Sequence, residues 1–365
     1  MKRLLLFAGF LLAVLNVSGQ DSVRVKTLMM EGIRLHDQGR YADAIKKYDE
    51  VLTADPANIV ARYEKAYSLM ASKKYEEAIA LSREIIENKQ ADTRMVGNAY
   101  STWGSALDEQ GEHKKALKIY NEGIKRVPAY NMLNYNKAIT YLRMNDTDAG
   151  ILELEESISK NPGHRSSHFM LGRVMLLKSN KIAALLPYMT YLLLDNKTKR
   201  AEDALGVVRG LVEGGVKKTD SGSYHIPVSL GALKKTGKKP SADTDFESME
   251  LLFELGAATA FSKTKDMLPA DRFASRLVSF IGQLAAQKGH NGFYGKFYLP
   301  FFNGLHEQQL AESFAHHIFS PSGNVMNEVW IQDHRQQMER LGAWTQAYHW
   351  PGSGVYNSTD VNAAN

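Results

Sequence analysis

The residues with the best claim to chemistry are histidines in close pairs. His316 and His317 are adjacent, so on a helix they point about 100° apart and cannot chelate one metal together. His164 and His168 are four apart, which suits one helix face. However, Pro162–Gly163 starts that turn and no carboxylate is near in sequence to complete a ligand set. His306–Glu307 lacks the second histidine of a zinc-protease helix, and the run Gly214 to Thr219 (GGVKKT) lacks the spacing of a phosphate loop. No serine elbow is present. The chain has no cysteine, which excludes disulfides, thiolate metal sites, a cysteine nucleophile and lipoprotein anchoring. Neither a catalytic residue, a metal site nor a cofactor is expected.

What the sequence does contain is a period. From Val25 to about Thr198 the pattern returns at 34-residue spacing, with four extra residues at Thr93–Val96. Position 8 of each unit is small: Gly32, Ala66, Gly104, Ala138 and Gly172. So is position 20: Ala44, Ala78, Ala116, Gly150 and Ala184. Tyr48, Tyr120 and Tyr188 stand at position 24, and Pro56, Pro128 and Pro162 at position 32. Small side chains let two amphipathic helices pack closely, an aromatic fills the space beside them, and proline ends the second helix. Gly39 and Gly111 fit the turns between helices, where a left-handed conformation is easily met.

These residues resemble the tetratricopeptide repeat (TPR) family over about half of the chain, and more loosely its exported bacterial members with a helical tail. The resemblance implies an all-α fold: a solenoid of five helix-pair repeats over 25–213. Its capping helix would be Lys199 to Glu213, apolar along Ala201, Ala204, Leu205, Val208, Leu211 and Val212.

It also implies where a ligand sits. In TPR proteins the first helix of each repeat lines the concave face through positions 2, 5, 9, 12 and 13. Here those positions offer Tyr63, Tyr67 and Met70 with Val60. The third repeat offers Asn98, Ser101 and Ser105 with Asp108 and Glu109. Met132, Tyr135 and Arg143 follow, and the fifth repeat adds Phe169 and Arg173. Such a floor, aromatic at both ends and polar between, suits a peptide or a partner's helix. It does not suit a clamp for a terminal carboxylate, because Tyr63, Tyr67, Thr102, Met132 and Asn136 stand where paired cations and asparagines are needed.

Outside the repeats, Lys2, Arg3, the apolar run Leu4–Leu15 and small residues to Gly19 form a signal peptide over 1–19, so export to a bacterial periplasm is expected. That run is too short to span a bilayer, and no membrane span is expected after cleavage. Without Lys2 and Arg3 the formal charge falls from +5 to +3, too balanced for a nucleic-acid partner. Residues 214–245 shift to Gly, Ser, Lys and Pro and are expected to be a linker, with a short strand near Tyr224–Leu230. Helical patterning resumes over 246–350, dense in aromatics at Phe293, Tyr294, Phe297, Tyr298, Phe301 and Phe302, which a small domain needs for its core. One helix is expected over Asn324–Tyr348, and 351–365 is expected to be a disordered tail. The expected function is a non-enzymatic scaffold for a protein or peptide partner, as part of an envelope complex. The alternative is a periplasmic enzyme with its site in 246–350 and the repeats as substrate selector.

Overall fold

The structure, a computed structural model, describes residues 22–214, 217–218, 224–225, 246, 249–250, 264, 266–287 and 290–351. The expected signal peptide, most of the expected linker, most of residues 246–265 and residues 352–365 lie outside the described residues. The described chain is helical apart from an antiparallel pair, Lys217–Lys218 with Tyr224–His225, inside the segment expected to be a linker. It divides into two compact units, Met1–Glu153 and Leu154–Asn365.

In the first unit the helices are α1 (22–37), α2 (Tyr41–Ala54), α3 (Ile59–Ala71), α4 (Tyr75–Glu87), α5 (Thr93–Glu109), α6 (His113–Arg126) and α7 (Met132–Arg143). α8 (Thr147–Lys160) carries the chain across the division. Successive helices pack as antiparallel pairs. α3 also packs on α5, and α5 on α7, so the first helices form the inner layer. The four extra residues after the second repeat become the first turn of α5, whose backbone Met95 N–H is capped by the Asp92 carboxylate at 2.7 Å.

The small positions have a specific steric partner. A Cβ on Gly32 would stand 2.5 Å from Cε1 of Tyr48, and one on Gly104 would clash with Cε1 of Tyr120. In the second unit a Cβ on Gly172 would stand 2.7 Å from Cδ2 of Tyr188. The aromatic at position 24 therefore lies directly on position 8, where it was expected beside the helix pair. The sequence obeys this exchange throughout. Where position 24 is tyrosine, position 8 is glycine; where it is Ser82 or Leu154, position 8 is Ala66 or Ala138.

The turn inside each repeat is a second constant. Position 15 takes positive φ in all five: Gly39 (73°), Lys73 (63°), Gly111 (80°), Asn145 (62°) and Ser179 (61°). The following amide donates back five residues, as in Lys74 N–H to the Leu69 carbonyl at 2.8 Å, which satisfies the last carbonyls of the first helix.

The second unit holds α9 (Arg165–Leu177), α10 (Lys181–Leu194), α11 (Lys199–Val212), α12 (Pro269–Ala285), α13 (Phe293–Glu307), α14 (Ala311–Phe319), α15 (Val325–Asp333) and α16 (Arg335–Ala347). α10 is buried at every position from Ile182 to Leu192. A helix that is apolar all round must be covered on both sides, and here the C-terminal helices supply the cover. The Tyr294 hydroxyl donates to the Ala183 carbonyl at 2.9 Å, and the Glu250 carboxylate accepts the Ile182 N–H at 3.1 Å. α11, expected to solvate the end of the solenoid, packs against α12 instead. Arg276 donates to the Glu213 carbonyl, and Arg209 lies 5.3 Å from the centre of the Phe319 ring.

The dense aromatics are core. Phe273, Phe280, Tyr294, Tyr298, Phe301, Phe302 and Phe314 are fully buried. The single helix expected over 324–348 is two, α15 and α16, broken at His334, whose φ is −107° and ψ 32°. Along them Leu341 is buried, whereas Val325 and Val329 are exposed.

Candidate binding face

The inner layer of the first unit places most of the expected ligand residues. Tyr63 and Tyr67, one turn apart on α3, lie nearly parallel with ring centres 6.2 Å apart. Tyr67 then stacks on His36 of α1 at 4.7 Å, and His36 meets the Tyr41 ring edge-on at 5.1 Å. The His36 imidazole is fixed by a 2.8 Å bond between Nδ1 and the Ser68 hydroxyl. Tyr63 packs against the cluster of Ile85, Met95 and Ala99, whereas Tyr67 is 39% exposed. Met70 is half-buried, and Val60 beside it is exposed.

Two carboxylates border this row. Glu64 is half-buried, and burial first, then Asp37, holds its carboxyl above the usual range. The same two carboxylates help raise the hydroxyl of Tyr67, where burial again leads. Burial lowers the His36 imidazole, partly opposed by Asp37. His36 and Asp37 occupy positions 12 and 13 of the first repeat. The positional rule that picks Tyr67 in the second repeat picks these two in the first.

The polar middle of the face is engaged internally. The Tyr130 hydroxyl donates to Asn98, and Asn136 donates to the Ser101 hydroxyl at 2.6 Å. Ser105 turns to the Tyr120 hydroxyl at 3.2 Å. Arg143 bridges Asp108 at 2.5 Å and Glu109 at 2.6 Å, and His113 bonds Asp108 from the other side at 2.7 Å. Several of these bonds span close to one repeat length, so they tie neighbouring repeats together. Met132 and Tyr135 are half-buried at the end of the same layer.

In the second unit Phe169 packs edge-on against Tyr188 at 5.5 Å and Tyr191 at 5.2 Å, with Arg200 5.3 Å from its centre. It is a packing residue of the fifth repeat and its end helix. Arg173 is exposed. The candidate metal histidine His168 is wholly buried: Nδ1 accepts from the Tyr298 hydroxyl at 2.8 Å, and Nε2 donates to the Pro162 carbonyl at 2.8 Å. Burial pushes its pKa down to about 3, so it is a neutral hydrogen-bonding bridge. His316 is likewise tied to Asn327 at 2.8 Å and stacked on Trp330. Among the described residues no group of three or more His, Asp or Glu is arranged to hold a metal, and no helix is long and apolar enough to cross a membrane.

Helix pairs, αL turns and the glycine–tyrosine exchange define a helical-repeat protein of the solenoid class. Residues 35–97 match the tetratricopeptide repeat family. It is 26% identical over 145 residues to Protein STIP1 homolog of Dictyostelium discoideum, covering 39% of this chain and 25% of that protein. It is 24% identical over 93 residues to the small glutamine-rich tetratricopeptide repeat-containing protein of the same organism, covering 26% and 28%. The chain thus spans about a quarter of the length of these curated relatives. Among solved structures, a thermophilic TPR protein of Thermus thermophilus is similar at 16% identity and a TM-score of 0.43, covering 50% of this chain and 98% of that one. Pseudomonas aeruginosa PilF is similar at 15% identity and 0.41, covering 53% and 83%. PilW, a type IV pilus biogenesis factor, is similar at 12% identity and 0.39, covering 67% and 95%.

Proposed function

We propose that this protein is a non-enzymatic scaffold that holds a protein or peptide on the inner face of its first unit. The observation that carries the reading is the ring row Tyr63–Tyr67–His36. It sits on the inner layer, partly open, beside exposed Val60 and Ile33. Rigid aromatic side chains at a repeat surface give contact area at low entropic cost. The basic–apolar–small order of residues 1–19 supports export, and we place the scaffold in the bacterial periplasm, working within an envelope complex. No observation favours the enzyme alternative. In 293–319 the aromatics pack the core, and His316 is committed to Asn327.

The test is affinity capture from a periplasmic extract, using the intact protein and a variant with Tyr63→Ala and Tyr67→Ala. Phe169 is left unchanged because it packs its own repeat. Loss of the captured partners with unchanged circular dichroism is expected. Recovery of the same partners by a folded variant overturns the reading. Export is checked by N-terminal sequencing of the mature protein, which should begin at Gln20.

A further inference from the structure

We infer that the ring row of the first unit takes a cationic side chain, so that the peptide held there carries an arginine or lysine beside its apolar residues. This rests on the binding role just proposed for that face and names its partner chemistry.

Four observations converge. First, the face carries two carboxylates, Asp37 and Glu64, and neither makes an ion pair or side-chain hydrogen bond among the described residues. Second, three of the cations near in sequence are already committed. Lys65 bridges Asp49 at 2.6 Å, Arg62 bridges Glu84 at 3.7 Å, and Arg40 bridges Asp43 at 2.7 Å. Third, Asp37 and Glu64 act on the same groups. Tyr48, Tyr67 and Glu64 itself all feel one or both of them, after the leading effect of burial. Fourth, the rings of His36, Tyr63 and Tyr67 offer π-faces and edges to which a guanidinium or ammonium is drawn. Among the described residues Arg94 is the cation that acts on the row, and it acts on Tyr63, at the end away from His36. The attraction is therefore strongest at the His36–Tyr67 end. A guanidinium suits it best, since its planar donors pair with a carboxylate while its face lies on a ring.

The chemistry is opposite in sign to that of a clamp for a terminal carboxylate. Glu64 is half-buried, so its charge is screened less by solvent than that of an open surface carboxylate. An incoming cation should gain about two- to fivefold in affinity from each carboxylate.

The experiment is selection of a random peptide display library on the full protein. It is run in parallel on a variant carrying Asp37→Asn and Glu64→Gln, and on a second carrying Asp37→Lys and Glu64→Lys. All three are checked for folding by circular dichroism, and competition with the Tyr63→Ala, Tyr67→Ala variant identifies peptides that use this face. Face-dependent peptides enriched in arginine or lysine are expected. That enrichment should vanish on the neutral variant and turn to aspartate and glutamate on the reversed one. One selected peptide and its Arg→Gln counterpart should differ about fivefold or more in affinity, and the difference should shrink with added salt. Face-dependent peptides with no cation bias, or a bias unchanged on the neutral variant, overturn the inference and leave the scaffold reading standing. Absence of any face-dependent peptide overturns both. Should the doubly reversed variant fail to fold, the isosteric neutral variant and the peptide pair decide the matter alone.

Discussion

Replacing Gly172 with alanine tests the glycine–tyrosine exchange where it has least room to relax. A Cβ there would stand 2.7 Å from Cδ2, 2.9 Å from Cγ and 3.0 Å from Cε2 of Tyr188. Carbon atoms pack at about 3.5–4.0 Å, so nearly an ångström must be found. The ring cannot swing away, because Cγ sits at its base and is fixed by the α10 backbone. α10 in turn is buried from Ile182 to Leu192. Overpacking of this kind costs about 1–3 kcal/mol. Alanine returns up to about 1 kcal/mol as the better helix former. The net loss is about 1–2 kcal/mol, which lowers Tm by about 2–8 °C for a unit of this size. Tyr188→Leu alone empties the space over Gly172 and costs about 2 kcal/mol. The double variant reproduces the pairing of the fourth repeat, Ala138 with Leu154. It should recover at least about 1 kcal/mol relative to the sum of the single changes. Urea unfolding of the four proteins, followed by tryptophan fluorescence and circular dichroism, measures that coupling. Additive changes, or a Gly172→Ala protein as stable as the parent, would refute the exchange.

Three further outcomes follow from named contacts. Lys73→Gly and Ser179→Gly relieve side chains held at φ 63° and 61°. Each should stabilise by about 0.5–1 kcal/mol in urea, whereas Lys74→Gly, next to the turn, should not. Arg143→Ala strips the cation from Asp108, which is only 5% exposed. It should destabilise the first unit by about 1–3 kcal/mol, with Arg143→Lys restoring part, as read from the same urea curves. His168 binds a proton below pH about 6.5 when unfolded, but when folded only near pH 3, because burial disfavours its charge. The unfolded chain therefore holds more protons in that window. Stability falls as the pH drops below about 6.5, by up to about 1.4 kcal/mol per unit from this residue. His168→Gln should flatten that share of the slope; an unchanged slope in equilibrium unfolding from pH 7 to 4 would assign it to carboxylates.

The parts of the fold legible in the sequence were those where one residue type answers one steric demand. Gly or Ala at positions 8 and 20 admits only close helix packing, and five repetitions make that unambiguous. Position 15 was half legible: its left-handed turn is advertised by Gly39 and Gly111 and hidden at Lys73, Asn145 and Ser179, where the turn's hydrogen bonds outweigh the side-chain strain. The candidate site divides in the same way. Tyr63 and Tyr67 follow from position, because position decides which way a helical side chain points. That Asn98, Ser101 and Arg143 spend their polar atoms on neighbouring repeats does not follow, because position says nothing about a rotamer.

The fifth repeat shows what composition could have added. A repeat's second helix normally keeps a polar stripe for solvent, as α6 does with His113, Lys114, Lys118 and Lys125. The sequence of α10, KIAALLPYMTYLLL, has no such stripe. A helix like that cannot face water, so residues from elsewhere in the chain had to cover it. The aromatic-dense segment at 293–302 is an apolar surface large enough to do so. Its Tyr294 reaches the α10 backbone, and its Tyr298 reaches His168 on the partner helix α9. The histidine that first suggested a metal is thus explained by the same fact as the missing polar stripe. Both belong to the contact through which the C-terminal helices complete the fifth repeat.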